Sequence, residues 1–176
     1  MTRLLSTVIG AQTSTQGGDT VANTAAATNF ATSHTLAASM LNVAGRVLHI
    51  HCAGTCTNAG LGQTIRLAVL FGTNTIVSLG SFTPTDVSGA TDNWFLEADM
   101  ICRSTGATGT VWGTGNLFMT TGVLKTLDGI IYSAGSPVTI DLTAAQTIYI
   151  EAKWSGALAA NSITMDEFIT HLGGTS

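Results

Sequence analysis

Two histidines at alternate positions, His49 and His51, are the sharpest candidates for chemistry in this sequence. Alternate residues of a strand point the same way, so both imidazoles could address one zinc ion. Zinc also needs a third and a fourth ligand, and none stands at a telling spacing. The pair therefore reads as two imidazoles on a half-buried sheet, with no metal expected, and His34 and His171 stand alone as structural residues. Glu97 and Asp99 share a face about 7 Å apart along a strand, and Asp166 and Glu167 are adjacent. Paired carboxylates at such separations suit glycoside hydrolysis. That chemistry wants a cleft walled by aromatics, and aromatic residues make up only 6% of the chain. The carboxylates accordingly read as solvated or interface charges. The sequence holds no G-x-S-x-G elbow and no glycine-rich phosphate turn carrying a lysine. No catalytic residue, no cofactor and no enzymatic activity are expected. Trp94 and Trp154 fall on apolar faces. Trp112, near Thr110 and Gly113, is the tryptophan that could serve as an exposed ligand platform, although packing in the core or against another subunit is the preferred reading.

The elements that must carry these side chains are strands. Leu48, Ile50 and Cys52 share one face while Val47, His49 and His51 share the other. Ile65, Leu67, Val69 and Phe71 alternate with Arg66, Ala68 and Leu70, and Gly72-Thr73-Asn74 turns the chain back through Ile76 to Phe82 as a hairpin. Trp94, Leu96, Ala98, Met100 and Cys102 alternate with Phe95, Glu97, Asp99, Ile101 and Arg103, so both carboxylates face away from the core. From Thr110 to Met119 the strand contains Gly113 and Gly115, which signal a kink or the close approach of another backbone. Gln146 to Leu172 reads as a final hairpin, in which Ile148, Ile150, Ala152 and Trp154 alternate, and then Ile163 and Met165. Phe168 falls out of phase by one residue, which a bulge near Asp166-Glu167 would repair.

Residues 2 to 10 are apolar enough for a short strand, residues 11 to 20 have no periodic face, and Val21 to Leu41 reads as an extended lead-in strand. The expected organisation is an N-terminal arm over 1–25, on a flexible joint, and one domain over 26–176. About eight to ten antiparallel strands without a helix, with turns every dozen residues, predict an all-β sandwich or barrel.

Composition narrows the function classes. Apolar residues are 45% of the 176 and charged residues 9%, against roughly 25% charged in ordinary globular proteins. Net charge is −4 and the six basic residues are scattered, which disfavours nucleic acid. So few charges leave a weakly self-repelling surface, suited to an oligomer or a particle. No segment approaches the 18 or so apolar residues that span a bilayer, so no membrane is expected. A protein made in the cytoplasm and remaining soluble is the expectation. Cys52 and Cys56 would lie about 13 Å apart on one strand, too far for a disulfide, and the three cysteines read as buried thiols.

Several stretches resemble the jelly-roll domains of structural proteins of tailed bacteriophages, a family that includes capsid decoration, or cement, proteins. They are Leu41 to Val47 (LNVAGRV), Trp94 to Asp99 (WFLEAD), Arg103 to Thr110 (RSTGATGT), Thr143 to Thr147 (TAAQT), the Lys153-Trp154-Ser155 strand end, and Ala159 to Thr164 (AANSIT). Together they span roughly residues 35 to 172. The resemblance implies a jelly-roll β-sandwich and a homotrimer on the outer surface of a phage head, bound to the major capsid protein. Apolar residues on otherwise polar strand faces, Val47, Leu70, Phe95, Ile101 and Tyr149, are then the expected trimer interface. Arg3, Leu4, Leu5, Val8 and Ile9 of the arm are the expected capsid-binding residues. The alternative is a tail-fibre or baseplate tip that binds a host surface receptor through the loops at 57–62, 83–92 and 120–137.

Overall fold

Period-two patterning is realised in most strands of a computed structural model, which describes residues 7–13, 18–60, 62–84, 91–121 and 126–173. Twelve strands lie among these residues: β1 (Thr7–Thr13), β2 (Asp19–Ala22), β3 (Thr28–Leu36), β4 (Val47–Thr57), β5 (Ile65–Phe71), β6 (Asn74–Phe82), β7 (Thr91–Ser104), β8 (Gly109–Thr121), β9 (Thr126–Ser133), β10 (Val138–Ile140), β11 (Gln146–Trp154) and β12 (Ser162–Gly173). The broad sheet runs β1-β12-β4-β7-β8-β10, with β2 also on β12 and β9 also on β8. The narrow sheet runs β3-β11-β5-β6. The orders β2-β12-β4-β7 and β3-β11-β5-β6 are the two four-stranded sheets of a jelly roll. Strands β8, β9 and β10 widen the first of them.

The strands β2–β7, β11 and β12 of the two jelly-roll sheets bury one side-chain set between the sheets. Leu48, Ile50 and Cys52 of β4, Trp94, Leu96 and Met100 of β7, and Ile148, Ile150 and Trp154 of β11 are almost fully buried. Fully burying each large apolar side chain stabilises the fold by about 1.5–3 kcal/mol. The three cysteines are free and buried, and burial pushes the Cys52, Cys56 and Cys102 thiols up. The β5–β6 hairpin closes at Gly72, whose φ of +62° suits glycine. Gly113 and Gly115 mark a close approach, as expected: a Cβ on Gly113 would stand 2.6 Å from Ile76 Cγ2 and 2.7 Å from the Ile76 carbonyl oxygen. The narrow sheet's edge strand rests there directly on β8.

Two expectations need revision. The segment from Gln146 to Leu172 is not a hairpin, because β11 pairs with β3 and β5 whereas β12 pairs with β1, β2 and β4. Alternation identifies a strand with one buried face but not its neighbours, and residues 155–161 step from one sheet to the other. Residues 21–41, expected as one extended strand, divide into the end of β2, a break, and β3. The bulge is where the phase demanded it, with the β12 register shifting between Met165 and Glu167 against β4, so that Met165 and Phe168 both point inward.

Of the expected arm, Arg3, Leu4 and Leu5 lie outside the described residues. Val8 and Ile9 belong to β1, whose backbone pairs with β12 from Thr7 opposite Leu172 to Thr13 opposite Glu167. The boundary at residue 25 falls between β2 and β3.

Candidate functional site

Opposite residues of paired strands point to the same side, so strict register turns strand sequences into rows across a sheet. On the outer face of the broad sheet one row reads His171, His49, Asp99, Thr114, Ser133, passing from β12 through β4, β7 and β8 to β9. The next row reads Ile169, His51, Glu97, Asn116, Ile131. A cleft of about 430 Å³ opens over these rows, lined by His49, His51, Glu97, Asp99, Asn116 and His171 among others. Flanking it, Ala53, Phe95, Phe118 and Gly129 form a third row, in which the Phe95 and Phe118 rings stack with centroids 4.9 Å apart and planes 15° apart.

The pair singled out in sequence, His49 and His51, does share this face, and so do Glu97 and Asp99. His49 Nδ1 lies 2.6 Å from Asp99 Oδ1. His51 stands between two carboxylates, with Nδ1 3.9 Å from Glu97 and Nε2 3.9 Å from Glu167. His49 is thus oriented by its acid partner, whereas His51 stands between two carboxylates without a hydrogen bond to either. Among the described residues no group of three or more His, Cys, Asp and Glu side chains is arranged to hold a metal ion. What the cleft offers is hydrogen bonding: acceptors from carboxylates, and mixed donors and acceptors from imidazole, amide and hydroxyl groups.

Not all the histidines belong to it. His34 turns inward, its ring 4.1 Å from that of Phe168 and nearly parallel to it, with Nδ1 3.1 Å from the Thr170 hydroxyl. Burial holds its pKa below the ordinary histidine value. His171, read in sequence as isolated, stands directly opposite His49. Thr114 and Asn116 were not singled out in sequence, and Ser133, expected in a loop over 120–137, instead ends strand β9. The signal for Thr114 and Asn116 is the alternation Thr110, Trp112, Thr114, Asn116 against Val111, Gly113, Gly115, Leu117, which the two glycines obscured.

The expected trimer residues separate. Val47 and Ile101 are opposite one another on the broad sheet's outer face, and Phe95 lies farther along it. Leu70 and Tyr149 are opposite one another on the narrow sheet. Leu70 is only 8% exposed within the chain itself, so it has little area to give a partner. Five residues chosen for one interface therefore occupy two opposite faces, because alternation alone does not say to which sheet a strand belongs. Trp112 is half-buried opposite Ile101, with the Arg103 guanidinium 6.0 Å from its ring centre. Of the expected receptor-binding loops, residues 61, 85–90 and 122–125 lie outside the described residues, and the expected loop over 120–137 is largely strand, because β8 runs to Thr121 and β9 (Thr126–Ser133) pairs back along it.

No family model and no curated protein matches the chain. Among solved structures it is similar to the CBM2 module of the evolved Dit of Lactobacillus casei BL23 phage J-1, at 8% identity and a TM-score of 0.40, covering 99% of each chain. It is similar to a Lotus tetragonolobus seed lectin at 10% identity and a TM-score of 0.47, covering 98% of this chain and 94% of the lectin. It is also similar to the CBM22-1 xylan-binding domain of Paenibacillus barcinonensis Xyn10C at 12% identity and a TM-score of 0.33, covering 99% and 100%. The jelly-roll assignment rests on the strand order itself.

Proposed function

We propose that this chain is a non-enzymatic protein of a tailed-bacteriophage particle that works by surface recognition, and that the cleft on its broad sheet binds a saccharide of the host surface. The observation that carries this reading is the pair of in-register polar rows beside the stacked Phe95 and Phe118 rings. Sugar hydroxyls both donate and accept, which suits His49, Asp99, Glu97 and Asn116, while the apolar face of a sugar ring suits an aromatic side chain. A volume of about 430 Å³ lies within the range of small-ligand sites. The three carboxylates Glu97, Asp99 and Glu167 oppose phosphate or uronate ligands. The phage setting is supported by the sequence stretches that resemble jelly-roll proteins of the virion.

Binding to a glycan panel tests this reading. The wild-type chain should retain at least one neutral glycan, and Asn116→Ala should weaken that binding about tenfold, the cost of one hydrogen-bond contact in a ligand site. A panel without a single binder would overturn it.

A decoration role on the capsid is the second reading. It is favoured by the low charge content and by Val47, Ile101 and Trp112, which form a partly exposed apolar row at one end of the same face. In this reading three copies pack as a homotrimer on shells of the major capsid protein, and residues 1–25 help hold them there. Co-sedimentation with empty shells, together with the mass in solution by light scattering, decides it: a monomer that leaves shells bare rules it out.

A further inference from the structure

The cleft has an asymmetric rim. At the β9 side stand Ile131, 81% exposed, and Leu127, 65% exposed, an unusual display for large apolar side chains in water. Both point outward with Gly129 between them, since Leu127, Gly129 and Ile131 oppose Thr120, Phe118 and Asn116 in register. Gly129 has no side chain for a physical reason: a Cβ there would stand 2.7 Å from both Cδ1 and Cε1 of Phe118. The Phe118 ring therefore leans across the strand onto the glycine and fills the gap between Leu127 and Ile131. The result is an apolar ledge of one ring and two aliphatic side chains. Ile131 belongs to it and also lines the cleft, so the ledge and the hydrogen-bonding rows are continuous.

Resting on the saccharide reading above, we infer that this ledge is a subsite for the methyl of an acetamido group, and that the cleft selects N-acetylated sugars over their hydroxyl counterparts. An acetamido substituent matches both halves of the juxtaposition. Its amide can hydrogen-bond to Asn116 or a carboxylate, while its methyl reaches the Ile131–Phe118 corner. Gly129 and Phe118 act as positioning and specificity-determining residues respectively.

The test compares tetramers of one linkage that differ only at the second carbon: β-1,4-linked N-acetylglucosamine, the same chain carrying free amines, and the same chain carrying hydroxyls, each added to the glycan panel. The acetylated tetramer should bind about tenfold more tightly than the hydroxyl tetramer, as expected for one buried methyl plus a satisfied amide. Ile131→Ser, at a site too exposed to matter for folding, should reduce that preference to about twofold. Gly129→Ala should do the same by displacing the Phe118 ring, with thermal melting confirming that the variant is folded. Equal binding of acetylated and hydroxyl tetramers, tighter binding of the amine tetramer, or a panel whose binders all lack acetamido groups would overturn the inference and leave the saccharide reading standing. An unchanged preference in Ile131→Ser would overturn the ledge as its source. Failure of the entire panel would fall on the saccharide reading and take the inference with it.

Discussion

The two outer faces of the sandwich obey the same alternation yet carry different chemistry. On the broad sheet, His49, His51 and His171 stand among Glu97, Asp99 and Glu167, beside stacked phenylalanine rings and over a cleft. On the narrow sheet the main charged feature is Arg66 on Glu151, at 2.8 Å, with Leu70 and Tyr149 opposite each other nearby. The difference lies in width. Strands β8 and β9 extend the broad sheet beyond its jelly-roll strands, and their residues Thr114, Asn116 and Ile131 complete rows that His49 and His51 begin. The proposed recognition surface is thus made by adding strands to a face.

The contrast can be broken or sharpened by substitution. The largest effect is expected from Phe168→Ala, which empties the core beneath both faces and should cost about 3–5 kcal/mol of stability in denaturant unfolding. Both faces should fail together. Gly113→Ala comes next: with about 2.6 Å available for the new methyl, β6 and β8 must separate, at about 1–3 kcal/mol. If the cleft depends on the added strands, this variant should lose saccharide binding while folded material remains.

Asp99→Asn then separates binding from stability. Its pair with His49 is about half exposed on both sides, so melting should move little, whereas saccharide binding should fall about tenfold, or about 1.4 kcal/mol. Glu151→Ala should do the reverse on the other face, costing at most about 1 kcal/mol of stability because Arg66 is partly exposed, with saccharide binding unchanged. Loss of binding in Glu151→Ala would show that the two faces are not independent.

The smallest effect concerns acid. His34 has its folded pKa lowered by burial, so below the unfolded value of about 6.5 the unfolded chain takes up a proton that the folded chain refuses. Its contribution to stability is therefore complete above about pH 6.5 and declines as pH falls toward the lowered folded value. His34→Gln should flatten that part of the stability–pH curve; an unaltered slope would assign the acid sensitivity elsewhere.

Much of this was legible in the sequence, for reasons that individual residues make plain. The inward and outward sets of β4, β7 and β11, and the bulge beside Asp166, follow from period-two alternation, which is local. The site was half legible. His49 and His51, and Glu97 and Asp99, are neighbours along single strands, so their shared faces could be read directly. That His171 faces His49, that Asn116 joins Glu97, and that Leu70 sits on the sheet opposite to Phe95 all depend on which strands pair. Pairing links residues up to more than a hundred positions apart, and alternation carries no record of it. Gly129 is the sharpest instance: as a sequence feature it only breaks the chain, whereas in register it is the seat of the Phe118 ring.

The positions of β11 and β12 bear on how the molecule is made. The last two strands among the described residues are interior strands of the narrow and the broad sheet respectively. A nascent chain that has reached only residue 145 therefore has β3 without its neighbour, and β1 and β2 without theirs, with unpaired edges open in both halves. Native closure must wait for translation to pass residue 173, and its contacts join residues far apart in sequence, so folding should be slow. Prematurely ended chains would carry exposed strand edges rather than a smaller stable domain, which makes them candidates for aggregation and proteolysis.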